Sequence, residues 1–291
     1  MGKSTVVWLS AISCNGNAHS FLNYPHLEQF LENFEFTYHP ILETPFTLED
    51  IISQDVPCDI LIIEGAIAKE FERIDTSIET LIKKYAKVAQ KVVTVGTCAT
   101  FGGLFAQSFK NATGLHYKKS EAINTYSSFY HKTISLSGCP IQPEVLATTL
   151  YSIKSSLQLH LDEYLRPKEF YGFTVHNGCI RNEYFEYKVD TYTYGSLEGC
   201  MYYDHGCQAP YTHNSCNKIL WNEVNSKTRE GHPCVGCSEP TFPKMNLFAT
   251  KKNMGIPEFL PLGVPKRAYL GVAGVAKAFK IERFYKRILG D

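Results

Sequence analysis

The stretch that decides the fold is VVTVGTCATFGG, which runs from Val92 to Gly103. It opens with an apolar run of strand length, and a glycine and a cysteine follow almost at once. Gly96, Gly102 and Gly103 suit a tight turn and a close approach of the backbone to a bulky group. The pattern predicts a buried strand that delivers Cys98 to the turn at its carboxyl end.

Outward from this stretch, strand-length apolar runs alternate with helix-like segments over the first 165 residues. The strands are predicted at Thr5–Ala11, Asp59–Ile63, Val92–Val95 and Thr133–Leu136, and the helices at Tyr24–Glu32, Asp75–Gln90 and Gln142–Leu161. Asp75 is placed to cap the second of these helices. The alternation predicts an α/β domain over residues 1–165, built on a parallel sheet with helices on both faces.

Two further cysteines follow predicted strands, as Cys98 does. Cys14 comes after the first strand, and Cys139 comes after the last one in the sequence SGCP. The carboxyl ends of parallel strands meet at one crevice, so these three thiols are expected to converge on one site. A single such cysteine is ordinarily a small buried side chain, but three beside glycines favour a binding site. Cys58 precedes its strand and is interpreted as structural.

From Arg166 onward the chain changes character, and residues 166–291 are predicted to form a second domain. Gly, Pro, Asn, His, Tyr and Cys are frequent and periodicity is weak, so burial alone would not offset the entropy of ordering, and metal sites can supply the stability. Seven residues there have ligand chemistry: His176, Cys179, Cys200, Cys207, Cys216, Cys234 and Cys237. Only the tail, Pro265–Ile288, regains the spacing of an amphipathic helix.

Zinc and iron–sulfur clusters both suit this set of seven. Two structural zinc sites need eight ligands, whereas a four-ligand cluster with a three-ligand cluster uses all seven. Histidine can also replace a cysteine on a cluster iron. The spacing therefore favours iron–sulfur clusters and leaves zinc as the alternative.

The overall composition limits the partners and the compartment. The chain carries 29 basic and 29 acidic residues, which gives no electrostatic reason to expect nucleic acid or an anionic membrane. No apolar stretch approaches the ~18 residues of a membrane span, and we expect no export signal and a cytoplasmic protein. Ten cysteines in a reducing compartment indicate metal binding rather than disulfides.

Taken in order, the motifs resemble one family. They are Trp8-Leu9 with Cys14, GTC at 96–98, GCP at 138–140, H-x₂-C at 176–179, Cys200 with Cys207, Cys216, and HPCVGCSEP at 232–240. From about residue 6 to 243 this pattern is similar to the small subunit of nickel–iron hydrogenases. The resemblance is to the cytoplasmic branch, which includes uptake enzymes of the cyanobacterial kind and H₂ sensors.

The resemblance implies a flavodoxin-like first domain and three iron–sulfur clusters. The proximal cluster would be held by Cys14, Cys98 and Cys139, and the medial 3Fe-4S cluster by Cys216, Cys234 and Cys237. The distal 4Fe-4S cluster would be held by His176, Cys179, Cys200 and Cys207. The nickel–iron site would belong to a separate large subunit, and this chain would carry electrons from H₂ oxidation there to an external acceptor.

One residue departs from the family pattern. Asn17 stands where a second cysteine is expected, three residues after Cys14. The proximal centre is then either a 3Fe-4S cluster on three cysteines or a 4Fe-4S cluster with the Asn17 oxygen or water on one iron. Loss of an anionic ligand raises a cluster's reduction potential, so we hypothesise a centre suited to one-way H₂ uptake.

Three other interpretations stay open at this point. The small cluster-binding subunit of NADH:quinone oxidoreductase shares the strand-end cysteines but lacks a seven-ligand second domain. A subunit of an H₂-sensing regulatory hydrogenase would have the same fold and the same clusters. A structural zinc protein is the third, and its colourless preparation would differ from a brown iron–sulfur protein.

Overall fold

The computed structural model describes residues 2–243, 260 and 263–279. The chain separates into two compact units. The first unit comprises Met1–Gly172 together with Cys237–Pro243, and the second comprises Phe173–Gly236 together with Lys244–Asp291. The main division thus falls seven residues beyond the predicted one, and a short later segment returns to the first unit.

The first unit is built on strands that are mostly buried. The strands are β1 (Ser4–Ser10), β2 (Phe34–Tyr38), β3 (Ile60–Glu64), β4 (Glu72–Arg73), β5 (Thr76–Ser77), β6 (Lys91–Val95), β7 (Tyr117–Lys118), β8 (Glu121–Ala122) and β9 (Thr133–Leu136). Five of them form one parallel sheet in the order β2-β1-β3-β6-β9. Counted along the chain this is the flavodoxin-like order 2-1-3-4-5, which confirms the predicted α/β fold.

Helices connect these strands. They are α1 (Gly16–Leu22), α2 (Leu27–Asn33), α3 (Leu48–Ser53), α4 (Ile78–Val88), α5 (Gly96–Phe101), α6 (Phe105–Ser108), α7 (Pro143–Lys154) and α8 (Lys168–Tyr171), with a 3₁₀ turn at Ser127–Lys132. The second unit contains α9 (Asn182–Glu186), α10 (Tyr202–His205) and α11 (Lys266–Phe279), with 3₁₀ turns at Val175–Gly178 and Ala209–Tyr211.

Each face of the sheet carries its own core. On one face, Leu9 and Ile63 pack with α4, whose residues Leu81, Ile82 and Tyr85 are buried. On the other face, Trp8 lies among aromatic rings, with centroid distances of 5.9 Å to Phe21, 6.3 Å to Phe36 and 5.0 Å to His39. Because both faces are covered, the central strands are continuous apolar runs, as parallel strands are.

The structure corrects several predicted boundaries. Asp75 does not cap α4, since it has a left-handed φ of 55° in the turn between β4 and β5. Ser77 is the cap, and its Oγ accepts from the Glu79 amide at 3.2 Å. Strand β2 was not predicted, because it follows α2 directly, with no turn residue between Asn33 and Phe34 to mark its start.

Two predicted helices also end differently. The helix predicted to reach Leu161 ends at Lys154, and Ser156 then turns the chain with a φ of 54°. The predicted tail helix corresponds to α11, and its continuation to Ile288 lies outside the described residues. Within the described ranges, no helix combines the length and the apolarity required to cross a membrane.

Candidate functional site

The three strand-end cysteines lie at the carboxyl edge of the sheet, as predicted. Cys14 lies in the loop after β1, Cys98 in the first turn of α5 after β6, and Cys139 in the loop after β9. The last two loops are joined directly: the Thr97 amide donates to Gly138 O at 2.9 Å, and Thr97 Oγ1 accepts from the Gly138 amide at 3.0 Å. Strands β1, β6 and β9 of one sheet therefore deliver all three thiols to the same edge.

The surroundings of Cys98 suit a ligand thiolate. Burial raises the pKa of Cys98, and the nearby Cys14 and Glu64 raise it further. The backbone amides of Leu104 and Phe105 act in the opposite direction, because they donate to the sulfur. A thiol whose pKa is raised in this way stays protonated until a positively charged metal group stabilises the thiolate.

Gly103 gives this sulfur its space. Its φ is +47°, and a Cβ there would lie 2.8 Å from Cys98 Sγ. Any larger residue would displace the thiol from the edge of the sheet. Gly103 is therefore required both for the turn and for the space that the Cys98 sulfur occupies.

Asn17 lies at the same edge, and both polar atoms of its side chain are hydrogen-bonded within the protein. Its Oδ1 accepts from the Ile141 amide at 2.8 Å, and its Nδ2 donates to Glu64 Oε1 at 3.0 Å. Its backbone amide also donates to Glu64 Oε1, at 2.9 Å. Trp8 Nε1 donates to Glu64 Oε2 at 3.1 Å, so three N–H groups surround a carboxylate that is fully buried.

The segment that carries Cys237 belongs to the first unit and is fastened to the same edge. Thr97 Oγ1 donates to Cys237 O, and Ser137 Oγ donates to Ser238 O at 2.8 Å. Arg166 Nη1 donates to Ser238 O at 3.1 Å. Cys216 and Cys234 belong to the second unit, so the medial ligand set of these three cysteines stays a prediction.

In the second unit, the four predicted distal ligands line one cavity. His176, Cys179, Cys200 and Cys207 all contribute to its wall. The 3₁₀ turn Val175–Gly178 presents His176 and leads into Cys179. Asn217 Nδ2 holds that turn through a 2.8 Å hydrogen bond to Val175 O. The structure thus gathers four residues that span about thirty positions of the sequence.

The donor set of this cavity fits a metal cluster. His176 is 5% exposed, and its Nε2 is buried without a hydrogen bond and lies 3.6 Å from Glu186 Oε1. Backbone amides already point at two sulfurs: Arg181 N donates to Cys179 Sγ at 3.4 Å, and Cys234 N donates to Cys207 Sγ at 3.2 Å. Hydrogen bonds of this kind tune cluster sulfurs.

Burial affects the thiols of this cavity strongly. It raises the pKa of Cys200 and of Cys207 to about 12 and also raises that of Cys179. These three thiols therefore stay neutral and become charged only with a metal group.

The number of ligands bears on the zinc alternative. Two structural zinc sites need eight ligands, whereas the second domain offers seven candidates, of which four line this cavity. Among residues 2–243, 260 and 263–279, no three His, Cys, Asp or Glu side chains converge on one point.

Sequence reasoning missed two residues of these sites. Glu64 ends the apolar strand ILIIE, and a lone acid at the carboxyl end of a buried strand is a usable signal. Arg181 follows Cys179 by two residues, is 8% exposed, and donates through Nη1 to Gly199 O at 2.7 Å, next to Cys200. The sequence carries no signal for this contact of Arg181, which only the folded structure reveals.

Along the chain, a flavodoxin-like unit precedes a cysteine-rich unit. Two family models match the chain. The model of the 20 Kd subunit of NADH ubiquinone oxidoreductase matches residues 14–153, and the model of the C-terminal part of the NiFe/NiFeSe hydrogenase small subunit matches residues 171–249. The second match covers the seven-ligand region, which separates this chain from the NADH:quinone oxidoreductase subunit.

One curated relative matches most of the chain. The chain is 32% identical over 260 residues to the periplasmic NiFe hydrogenase small subunit 1 of Nitratidesulfovibrio vulgaris, which covers 82% of this chain and 80% of that protein. The chain therefore belongs to the nickel–iron hydrogenase small-subunit family. It is a subunit of an oxidoreductase that acts on H₂, and its partner is a large subunit.

Solved structures share the fold. The Ni-Fe-Se hydrogenase from Desulfomicrobium baculatum matches with a TM-score of 0.71 and 23% identity, over 83% of this chain and 96% of that one. The actinobacterial-type NiFe-hydrogenase from Ralstonia eutropha H16 matches with a TM-score of 0.72 and 22% identity, over 96% and 90%.

Proposed function

We propose that this chain relays electrons, one at a time, between the large subunit's nickel–iron site and an external acceptor through three iron–sulfur clusters. The observation that carries the proposal is the cavity in which His176, Cys179, Cys200 and Cys207 come together. When bound, such clusters supply one-electron redox chemistry at potentials that their surroundings set.

The proposal assigns a role to each set of residues. Cys14, Cys98 and Cys139 hold the first cluster, which is either 3Fe-4S or 4Fe-4S, at the edge of the sheet. Cys216, Cys234 and Cys237 hold a 3Fe-4S cluster, and the cavity of the second unit holds a 4Fe-4S cluster. In that cavity, the amides of Arg181 and Cys234 donate to the sulfurs of Cys179 and Cys207.

The first cluster sets the direction of electron flow in this proposal. Three thiolates place less negative charge on a cluster than four, so its reduction potential is more positive. Electrons from the nickel–iron site then pass to a cluster with a more positive reduction potential. Their return to the nickel–iron site is unfavourable, which favours H₂ oxidation over H₂ evolution. An H₂-sensing subunit would use the same residues. Measurement of electron transfer from H₂ to an added acceptor distinguishes the two functions, because an uptake enzyme transfers electrons at a steady rate and a sensor does not.

The compartment is also part of the proposal. We propose that the protein works in the cytoplasm, where a reducing environment keeps a cysteine-rich chain available to metal. The relative from Nitratidesulfovibrio vulgaris is named as periplasmic. Cell fractionation with an antibody to this chain decides between the two locations.

The direct test is metal and sulfide analysis of the purified complex with its large subunit. We expect a brown protein with iron and acid-labile sulfide for three clusters. Serine at Cys200 should remove the 4Fe-4S cluster of the second unit and leave the other two. A colourless complex that contains zinc and no labile sulfide would refute the proposal.

A further inference from the structure

Asn17 is the point at which the segments that carry Cys14, Cys98 and Cys139 meet. It belongs to the first turn of α1, three residues after Cys14. Its Oδ1 accepts from the amide of Ile141, two residues after Cys139. Its amide group also packs on Gly96, two residues before Cys98, where a Cβ would lie 2.5 Å from Nδ2. Asn17 thus links the segment of Cys14 to the segments of the other two cysteines.

The two ends of the amide are used differently. The oxygen accepts from a backbone N–H, and the NH₂ group donates to the buried Glu64 carboxylate at 3.0 Å. Ser20, one turn further along α1, donates through Oγ to the carbonyl of the same Ile141 at 2.8 Å. The segment after Cys139 is thus held to α1 at both its N–H and its C=O group.

The backbone at Gly96 is shaped to admit this amide. The φ of Gly96 is +85°, and the Asn17 amide fills the space that a Cβ at this position would occupy. A buried amide that satisfies one donor and one acceptor at fixed positions is a stabilising element of a site. The same orientation is unsuited to iron, because it directs both polar ends at protein groups.

We infer that Asn17 is a positioning residue that holds the loops of Cys14, Cys98 and Cys139 together, and that it is not a ligand of the first cluster. The inference rests on the proposed function, since it concerns the cluster that these cysteines hold. The cluster is then bound by three thiolates alone, and any further ligand on its iron comes from solvent.

A comparison of two substitutions separates positioning from ligation. Asn17→Asp keeps an oxygen that binds iron at least as well, but it replaces the NH₂ donor by a carboxylate oxygen beside Glu64. Asn17→Ala removes both hydrogen bonds without adding a charge. For a positioning residue, the iron content of the first cluster falls in the order wild type, Asn17→Ala, Asn17→Asp. For a ligand, Asn17→Asp retains the cluster and Asn17→Ala loses it.

A second substitution at Glu64 makes this comparison sharper. Adding Glu64→Gln to Asn17→Asp removes the juxtaposed charges and supplies an NH₂ donor, so a positioning role predicts that the double variant regains iron. A ligand role predicts no such rescue. Asn23→Asp, at the exposed end of α1, is the matched control and should leave every cluster unchanged.

The wild-type complex provides a test that does not depend on folding of the variants. The complex is prepared with ¹³C-labelled asparagine, and the paramagnetic state of the first cluster is studied by electron–nuclear double resonance in H₂O and D₂O. We expect no strong ¹³C coupling from asparagine. Strong ¹³C coupling from asparagine would overturn the inference. Absence of any iron–sulfur signal in the complex would instead refute the proposed function.

Discussion

At the residue scale, the positions of the cysteine thiols depend on neighbouring residues that are not themselves ligands. Gly103 and Asn17 each border a cysteine-bearing turn, and neither carries a thiol or an imidazole. The chemistry that holds a cluster is supplied by cysteines and histidine, but the positions of those groups are fixed by smaller residues that a ligand motif does not include.

Gly103 provides a direct test of this view. Alanine at this position should reduce the iron content of the first cluster, because its Cβ would lie 2.8 Å from Cys98 Sγ. Iron analysis of the purified complex measures the effect. Gly195→Ala is the matched control: its φ of +74° imposes a similar backbone cost of about 1–2 kcal/mol, but its Cβ meets nothing within 4 Å. Equal iron loss in the two variants would show that backbone strain, and not contact with the sulfur, is responsible.

His39 gives the first unit a dependence on pH. Burial lowers its pKa from 6.5 to about 4, so the folded protein keeps this imidazole neutral. The unfolded chain takes up a proton between these two values, and stability is therefore lost as the pH falls from about 6.5 towards 4. The loss approaches about 3 kcal/mol for this residue.

The substitution His39→Asn tests that contribution. The amide oxygen can replace Nδ1, which accepts from the backbone amides of Ile41 and Leu42 at 3.2 and 3.1 Å. We expect a smaller drop in the thermal unfolding midpoint between pH 7 and pH 5 in the variant than in the wild type. An unchanged drop would mean that another group, such as the similarly buried His116, accounts for the dependence on pH.

At the scale of elements, the short helix α5 joins the sheet to two of the cysteine-bearing segments. Its residue Thr97 accepts from the Gly138 amide and donates to the carbonyl of Cys237 through one hydroxyl. A helix of six residues has little stability of its own. Its place at the end of β6 depends on such bonds, and on Gly96, which starts it.

Thr97→Val should therefore loosen the first unit at its carboxyl edge. The substitution keeps the shape and leaves the Gly138 amide without its acceptor, at a cost of about 1–3 kcal/mol. We expect a lower thermal midpoint and faster loss of iron to a chelator. Thr148→Val, on the exposed face of α7, is the control. Identical behaviour of the two variants would contradict the role assigned to Thr97.

The sequence predicted the elements that carry a local pattern. Four apolar runs marked β1, β3, β6 and β9 because buried parallel strands need no polar face. Strand β2 was missed because nothing separates it from α2, and the cap of α4 was misplaced because Asp75 lies in a hairpin turn. Boundaries of this kind depend on tertiary contacts that no local window contains.

At the scale of the whole molecule, the strand-end positions of three cysteines predicted one ligand set, and the family resemblance implied the other. In the structure, the first set lies at one edge of the sheet and the second lines one cavity. The contacts around them could not be predicted in the same way. Asn17 and Ile141 are 124 residues apart, and Asn17 and Glu64 are 47 apart. Such pairs follow from the order of strands in the sheet, so only the assembled fold gives them a role.

The central claim is that this chain holds three iron–sulfur clusters, the first of them bound by three thiolates. A redox titration of the purified complex with its large subunit, followed by electron paramagnetic resonance and calibrated by iron analysis, tests it most directly. We predict three clusters, with a 3Fe-4S signal in the oxidised state and a first cluster more positive in potential than an ordinary four-thiolate 4Fe-4S centre. Fewer than three clusters, or a first cluster with the low potential of a four-thiolate 4Fe-4S centre, would contradict the account.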